Sequence, residues 1–357
     1  MFPYFVLVCV PIIMAFVCRI VKAKPGHYVI DSFFLIWLIL LMFRATEVGA
    51  DIQGYELLFD RYCDMPWDEL LSGIFSGKYE AGFLIISKLL SIMHCNFRVM
   101  IIVCALIAVI PIWKMYRQEE NWSLLLVAMF INIAPFSMYF SGLRQTLAMA
   151  FAVPAFYCCR DKNFKKFLLS VFFGMLFHRS ALILLLMYPV FHLKLKKESH
   201  LLYIIPVLIG IYIFKSPIFS FLMRFAGRKY SAIYGSGVSA TGAYAVLLLL
   251  FVLFLFSYFA SDREQMTEED AGLRNLLLLS VVIQIFSGVH HIAMRLNYYY
   301  LIFVPITISR VLSKSKTDKQ VVYIAASCML CFFTVFFFYH AYIDADILEV
   351  FPYRSMF

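Results

Sequence analysis

Residues 242–260 read GAYAVLLLLFVLFLFSYFA, a run with no charge in it, closed by Asp262 and Arg263. Wound as an α-helix at ~1.5 Å per residue, such a run reaches almost across the ~30 Å hydrocarbon layer of a bilayer. Comparable apolar runs recur near 3–21, 28–46, 97–115, 121–140, 143–159, 165–178, 180–194, 199–217, 272–289, 295–312 and 320–340. The chain therefore reads as an all-α polytopic membrane protein with about 12 transmembrane helices and one transmembrane domain over 1–357. No internal repeat and no soluble domain interrupts the pattern.

Composition agrees. Of 357 residues 63% are hydrophobic, 18% aromatic and only 15% charged, against about a quarter charged in soluble domains. The net charge of +9 is no argument for nucleic acid, because membrane proteins collect lysine and arginine in cytoplasmic loops. Arg19, Lys22 and Lys24 follow the first apolar run instead of preceding it, so that run is read as a span and not as a cleaved signal. Placing those charges in the cytoplasm puts both termini outside. It also leaves 18 of the 31 basic residues in short cytoplasmic loops, as the positive-inside rule requires.

Two segments fall short of the full hydrocarbon thickness. Residues 165–178 and 180–194 each cover roughly 20 Å as helices, so they read as a re-entrant hairpin or a locally thinned pair. The second and third spans are separated by an outward segment, 47–96, rich in acids; its apolar stretch from Ala81 to Leu90 reads as an interfacial helix. A second outward loop, 218–241, is basic and rich in glycine, serine and tyrosine, the composition of a mobile lid.

Three short motifs then place arginine on the outward side, where it is scarce. They are Ser141-Gly142-Leu143-Arg144-Gln145, Phe177-His178-Arg179-Ser180, and His290-His291 followed by Arg295. A charge retained beside hydrocarbon is costly, and clustered arginines suit a phosphate-bearing ligand. The bland alternatives are a snorkelling Arg144, an interfacial belt around Arg295 and Tyr298 to Tyr300, and a packed His178 in a tight turn. His290-His291 suits a structural pair better than a metal site, since adjacent histidines rarely point at one ion.

With these motifs go Gly49-Ala50-Asp51, Tyr55 and Phe59, then Tyr79-Glu80-Ala81-Gly82-Phe83. Together, over about residues 28–312, they resemble the EpsG family within the wider group of Wzy-type O-antigen and exopolysaccharide polymerases. The resemblance implies a glycosyltransferase of the bacterial inner membrane, with its active site facing the periplasm or exterior. Donor and acceptor would both be oligosaccharides on undecaprenyl diphosphate. Its surroundings would be membrane lipids, a flippase and a chain-length regulator, with no nucleic acid and no cofactor. Carried over by motif, Asp51, Glu80 and His178 are the catalytic candidates. Arg144, Gln145, Arg179, Arg295, His291 and Tyr299 are the substrate-binding ones; Arg179 stands at the variable position of Phe-His-x-Ser-Ala.

Moving a sugar off a lipid diphosphate leaves new charge on the diphosphate, which a divalent metal or fixed cations must stabilise. Among the outward acids Asp51, Asp60, Asp64, Asp68 and Glu69 there is no Asp-Asp or Glu-Asp couple; the one neighbouring pair is Asp68-Glu69. Arginine, with a planar fork that matches two phosphate oxygens, is the alternative. The expectation is metal-independent transfer with Arg144 and Arg295 on the diphosphate, and the general base left open among Asp51, Glu80, His178, His290 and His291. A lipid-linked oligosaccharide flippase, a membrane acyltransferase and a ligase that transfers finished glycan are the competing classes.

Overall fold

The computed structural model describes residues 2–77, 80–225, 239, 242–343 and 350–356. Among them the backbone is helical, without a strand longer than the isolated bridges Arg44–Ser355 and Ser261–Ser315. Two compact units emerge, Met1–Leu185 with Tyr323–Phe357, and Leu186–Val322.

The first unit begins with α1 (Phe2–Ile20) and α2 (Gly26–Phe43). Helices α3 (Ile52–Asp64), α4 (Trp67–Phe75) and α5 (Ala81–Ile92) follow, then α6 (Phe97–Tyr116), α7 (Ser123–Ile133), α8 (Met138–Ser141), α9 (Leu143–Ala150), α10 (Ala152–Arg160) and α11 (Phe164–Phe177). A 3-10 helix, Arg179–Leu186, comes next. The second unit holds α12 (Met187–Phe191), a 3-10 turn (Glu198–His200), α13 (Leu201–Ile213), α14 (Lys215–Phe225), α15 (Ala243–Phe259), α16 (Glu268–Ser287), α17 (His291–Leu301) and α18 (Val304–Ser313). Helix α19 (Lys319–Ile343) closes the chain.

Five helices are long and apolar enough to cross a membrane: α1, α2, α6, α16 and α19. A sixth exists if α13 and α14, bent by 74°, make one broken span. The chain is thus an all-helical membrane protein, but about 12 transmembrane helices are not found among the described residues: α11 with 14 residues and α15 with 17 are short, and in five other runs the break lies beside a proline. Helices α9, α13 and α17 end at Ala150, Ile213 and Leu301, each four residues ahead of Pro154, Pro217 and Pro305. A proline has no N–H to give the carbonyl four residues back, and its ring crowds that carbonyl. Pro189 stands in the same relation to Leu185 near the end of the 3-10 helix. Ala134, just before Pro135, is extended (ψ 158°) and stops α7. The runs 121–140, 143–159, 180–194, 199–217 and 295–312 are therefore each broken.

The acidic segment 47–96, expected as a loop with one interfacial helix, folds into α3, α4 and α5. Of the basic segment 218–241, residues 218–225 belong to α14; Arg228 and Lys229 lie outside the described residues, as does Tyr79 of the quoted motif.

In the first unit, α2 packs against α1, α6 and α7 through an aromatic cluster. Trp37 stands 4.9 Å from Tyr139, 5.0 Å from Phe130 and 5.7 Å from Phe136, centroid to centroid. Ile52, Phe59, Phe83, Leu84, Met100, Leu143 and Leu147 form a second core that ties α3 and α5 to α6 and α9. In the second unit α16 is central. Asn275 donates to the Leu193 carbonyl at 2.8 Å, and Gln284 accepts from Asn297 at 3.0 Å. Arg274 is 2% exposed inside α16. Its guanidinium lies 3.8 Å above the Tyr258 ring and donates to the Leu195 carbonyl at 2.7 Å.

Two glycines of the first unit give opposite expectations for one substitution. A Cβ at Gly26 would sit 2.5 Å from the Glu120 carbonyl oxygen and 2.8 Å from its Cα, whereas one at Gly54, inside α3, would meet nothing within 4 Å. Gly26→Ala should destabilise by about 1–3 kcal/mol. Gly54→Ala should stabilise by about 0.5–1 kcal/mol through lost unfolded-chain entropy. Thermal unfolding in detergent should then move the midpoint down for the first variant and up for the second.

Candidate functional site

Segments far apart in sequence meet at the carboxylate of Glu80. Glu80 immediately precedes α5 in an extended conformation, and its side chain does not cap its own helix. It reaches instead to Arg144 in the first turn of α9, with 3.0 Å between Oε2 and Nη1 across 64 residues of chain. The other oxygen, Oε1, accepts the backbone N–H of Arg179 at 3.2 Å. The pair is half-sheltered, with side chains 15% exposed for Glu80 and 34% for Arg144.

Close packing explains why these segments arrive together. A Cβ on Gly82 would lie 2.7 Å from the Phe177 ring, so glycine lets the start of α5 seat against the end of α11. Gly49 has φ +107°, and a Cβ there would stand 2.0 Å from the Phe140 carbonyl oxygen. That close approach brings Asp51 to the Ser141 segment, where the Asp51 N–H donates to Ser141 Oγ at 3.2 Å. From α3, Tyr55 lies under the Arg144 guanidinium, 5.6 Å from ring centroid to Cζ. Burial pushes the Tyr55 hydroxyl above its usual range, with Arg144 opposing and Asp51 adding to the rise.

The polar atoms are unequally committed. Arg144 keeps a buried Nε–H with no acceptor among the described residues. The Asp51 carboxylate is exposed at the start of α3 and does not cap that helix. His178 Nδ1 lies 2.6 Å from Ser180 Oγ and accepts the Ser180 N–H at 3.2 Å. A nitrogen that accepts carries no proton, so the neutral ring bears its hydrogen on Nε2 and presents a donor there. The Arg179 side chain is spent on the Gly77 carbonyl. Its contact with Glu80 runs through the backbone, which any residue at that position would supply. Gln145 is buried, 3% exposed, one residue beyond Arg144.

The remaining candidates belong to the second unit. His290 caps α17, accepting the Ile292 N–H at 3.1 Å, and stacks on Phe219 with ring centroids 6.0 Å apart. Burial and the neighbouring His291 push its pKa down, so it is neutral at physiological pH. Its ring lies 4.3 Å from that of His291. His291 and Arg295 are exposed along α17, and Tyr299 is fully buried.

Of the expected residues, Asp51, Glu80, Arg144, His178 and Arg179 lie in the first unit and share this network or its immediate flanks. Tyr55 and Ser141 were quoted only as motif letters, yet each touches the network directly. Tyr55 stands four positions after Asp51, the spacing that puts two helical residues on one face, and that signal was available.

The EpsG family model matches residues 27–355 of the chain. No curated protein matches it, and no solved structure does either.

The ion pair should be measurable as coupling. A thermal-stability cycle of Glu80→Gln, Arg144→Ala and the double variant should give a coupling of about 1 kcal/mol, reduced by the exposure of Arg144. Strictly additive effects would mean that the two side chains do not interact.

Proposed function

The chain belongs to the EpsG family, and on that premise we propose that it is a polysaccharide polymerase. It joins oligosaccharide repeat units carried on undecaprenyl diphosphate into a surface polysaccharide, at the outer face of the bacterial inner membrane. The observation that carries this reading is the Glu80 carboxylate held between the Arg144 guanidinium and the Arg179 N–H, with Tyr55 beneath the arginine.

In the proposed reaction the acceptor hydroxyl oxygen bonds to the anomeric carbon as the bond from that carbon to the diphosphate oxygen breaks. The bonding pair leaves on the diphosphate. Arg144 meets that growing charge with the part of its guanidinium fork that stays exposed beside Glu80. Glu80 acts by holding the guanidinium in place, since both its oxygens are already engaged. Asp51 takes the hydroxyl proton, its carboxylate being exposed and beside Tyr55. His178, set as a donor through Nε2, hydrogen-bonds a substrate oxygen. A single displacement of this kind inverts the anomeric centre and draws its charge stabilisation from arginine without a metal.

The test is reconstituted protein given lipid-diphosphate repeat units. Ladder formation should fall by about 100-fold or more in Arg144→Ala, the scale of a lost oxyanion donor, and by a comparable factor in Asp51→Asn. It should persist in chelator. Translocation of the lipid-linked unit without elongation, or a single transfer to an unrelated acceptor, would overturn the proposal.

A further inference from the structure

The second unit contains an apolar groove of about 370 Å³ along α13, α15 and α16, a size within the ~300–1,000 Å³ of ligand sites. Leu208, Ile209, Leu247, Leu248, Phe251 and Ile285 line it. Tyr212 and Tyr244 belong to the same lining, and between them stands one cation. Lys215 Nζ lies 3.9 Å from the Tyr212 ring centroid and 5.0 Å from that of Tyr244, and donates to the Tyr244 hydroxyl at 3.3 Å.

The position of that lysine is built. Pro217 breaks the helix at Ile213, the 74° bend follows, and Lys215 becomes the first residue of α14. Gly288, just beyond α16, allows the clasp to close. A Cβ there would meet the Tyr244 hydroxyl at 2.9 Å. Among the described residues Lys215 has no carboxylate partner. An ammonium kept beside hydrocarbon and shared between two rings keeps donor capacity for an anion. A hydrocarbon groove beside a cation without a carboxylate partner fits an amphiphile with a long apolar chain and an anionic head such as a phosphate.

We infer that this groove seats the isoprenoid chain of a polyprenyl phosphate, with Lys215 on the phosphate. The inference rests on the polymerase reading for its choice of lipid. Polymerisation from lipid carriers requires two such chains at once, one bearing the growing glycan and one the incoming unit, and the groove receives one of them.

Full-length protein in nanodiscs of phosphatidylglycerol and phosphatidylcholine should be photolabelled with diazirine-bearing undecaprenyl phosphate, with no sugar substrate present. Labelling should saturate and map to 205–212 and 244–251. Leu248→Trp, which fills the groove from a position 64% exposed, should cut labelling about tenfold. Lys215→Ala should do so to a similar degree, as for one lost charge-assisted contact. Phe259→Trp, 57% exposed on the same helix but about two turns beyond the lining, should change nothing. Unsaturable labelling spread over the surface, which is what ordinary boundary lipid gives, would overturn the inference, as would indifference to either Leu248→Trp or Lys215→Ala. Because no glycan is involved, saturable labelling by a protein that builds no ladder would sink the polymerase reading alone. A ladder without saturable labelling would sink the groove alone.

Discussion

The first unit turns on a carboxylate that binds two partners 64 and 99 residues away in sequence. Glu80 neutralises Arg144 and fixes the turn at Arg179, so the start of α5, the first turn of α9 and the end of α11 are set by one group. An arginine beside hydrocarbon without such a partner is costly or moves to the headgroups. The partner explains how Arg144 stays at the head of α9. The glycines at 49 and 82 serve the same end, because each lets a backbone or ring approach that a Cβ would block.

Other arginines of the chain show what a purely structural role looks like. Arg44, 1% exposed, donates to the Leu41 carbonyl and lies 5.8 Å from the Phe140 ring centroid. Arg274 is enclosed over Tyr258 with a carbonyl to bind. Arg144 differs in being held by a carboxylate while remaining a third exposed. The exposed part of the guanidinium can meet a second anion while Glu80 keeps hold of it, and that is the basis of the proposed diphosphate grip.

Hydropathy made the membrane class and the continuous helices α1, α2, α6, α16 and α19 legible, because strongly apolar runs of this length point to a membrane span. It hid the breaks, since the residues around Ala150, Ile213 and Leu301 are as apolar as their neighbours. Pro154, Pro217 and Pro305 mark the breaks, yet Pro11, Pro111 and Pro206 lie inside the helices α1, α6 and α13, so a proline in the sequence does not by itself locate a break. For the site, the motif letters were readable and their pairing was not. Nothing local in Glu80 says that it bypasses its own helix for Arg144. Nor does anything local say that Arg179 contributes through its backbone while its side chain serves Gly77. His178 looked like a base by residue type, and the Ser180 N–H occupies its Nδ1 as acceptor.

The central claim is that Arg144 grips a diphosphate with its planar fork, and direct binding tests it without any sugar chemistry. Equilibrium binding of radiolabelled undecaprenyl diphosphate should be measured on the purified wild type and on Arg144→Lys, which keeps the charge and loses the fork. The account predicts about tenfold weaker binding or more for the lysine variant, with an unchanged thermal midpoint. Equal affinity in the two proteins would contradict it.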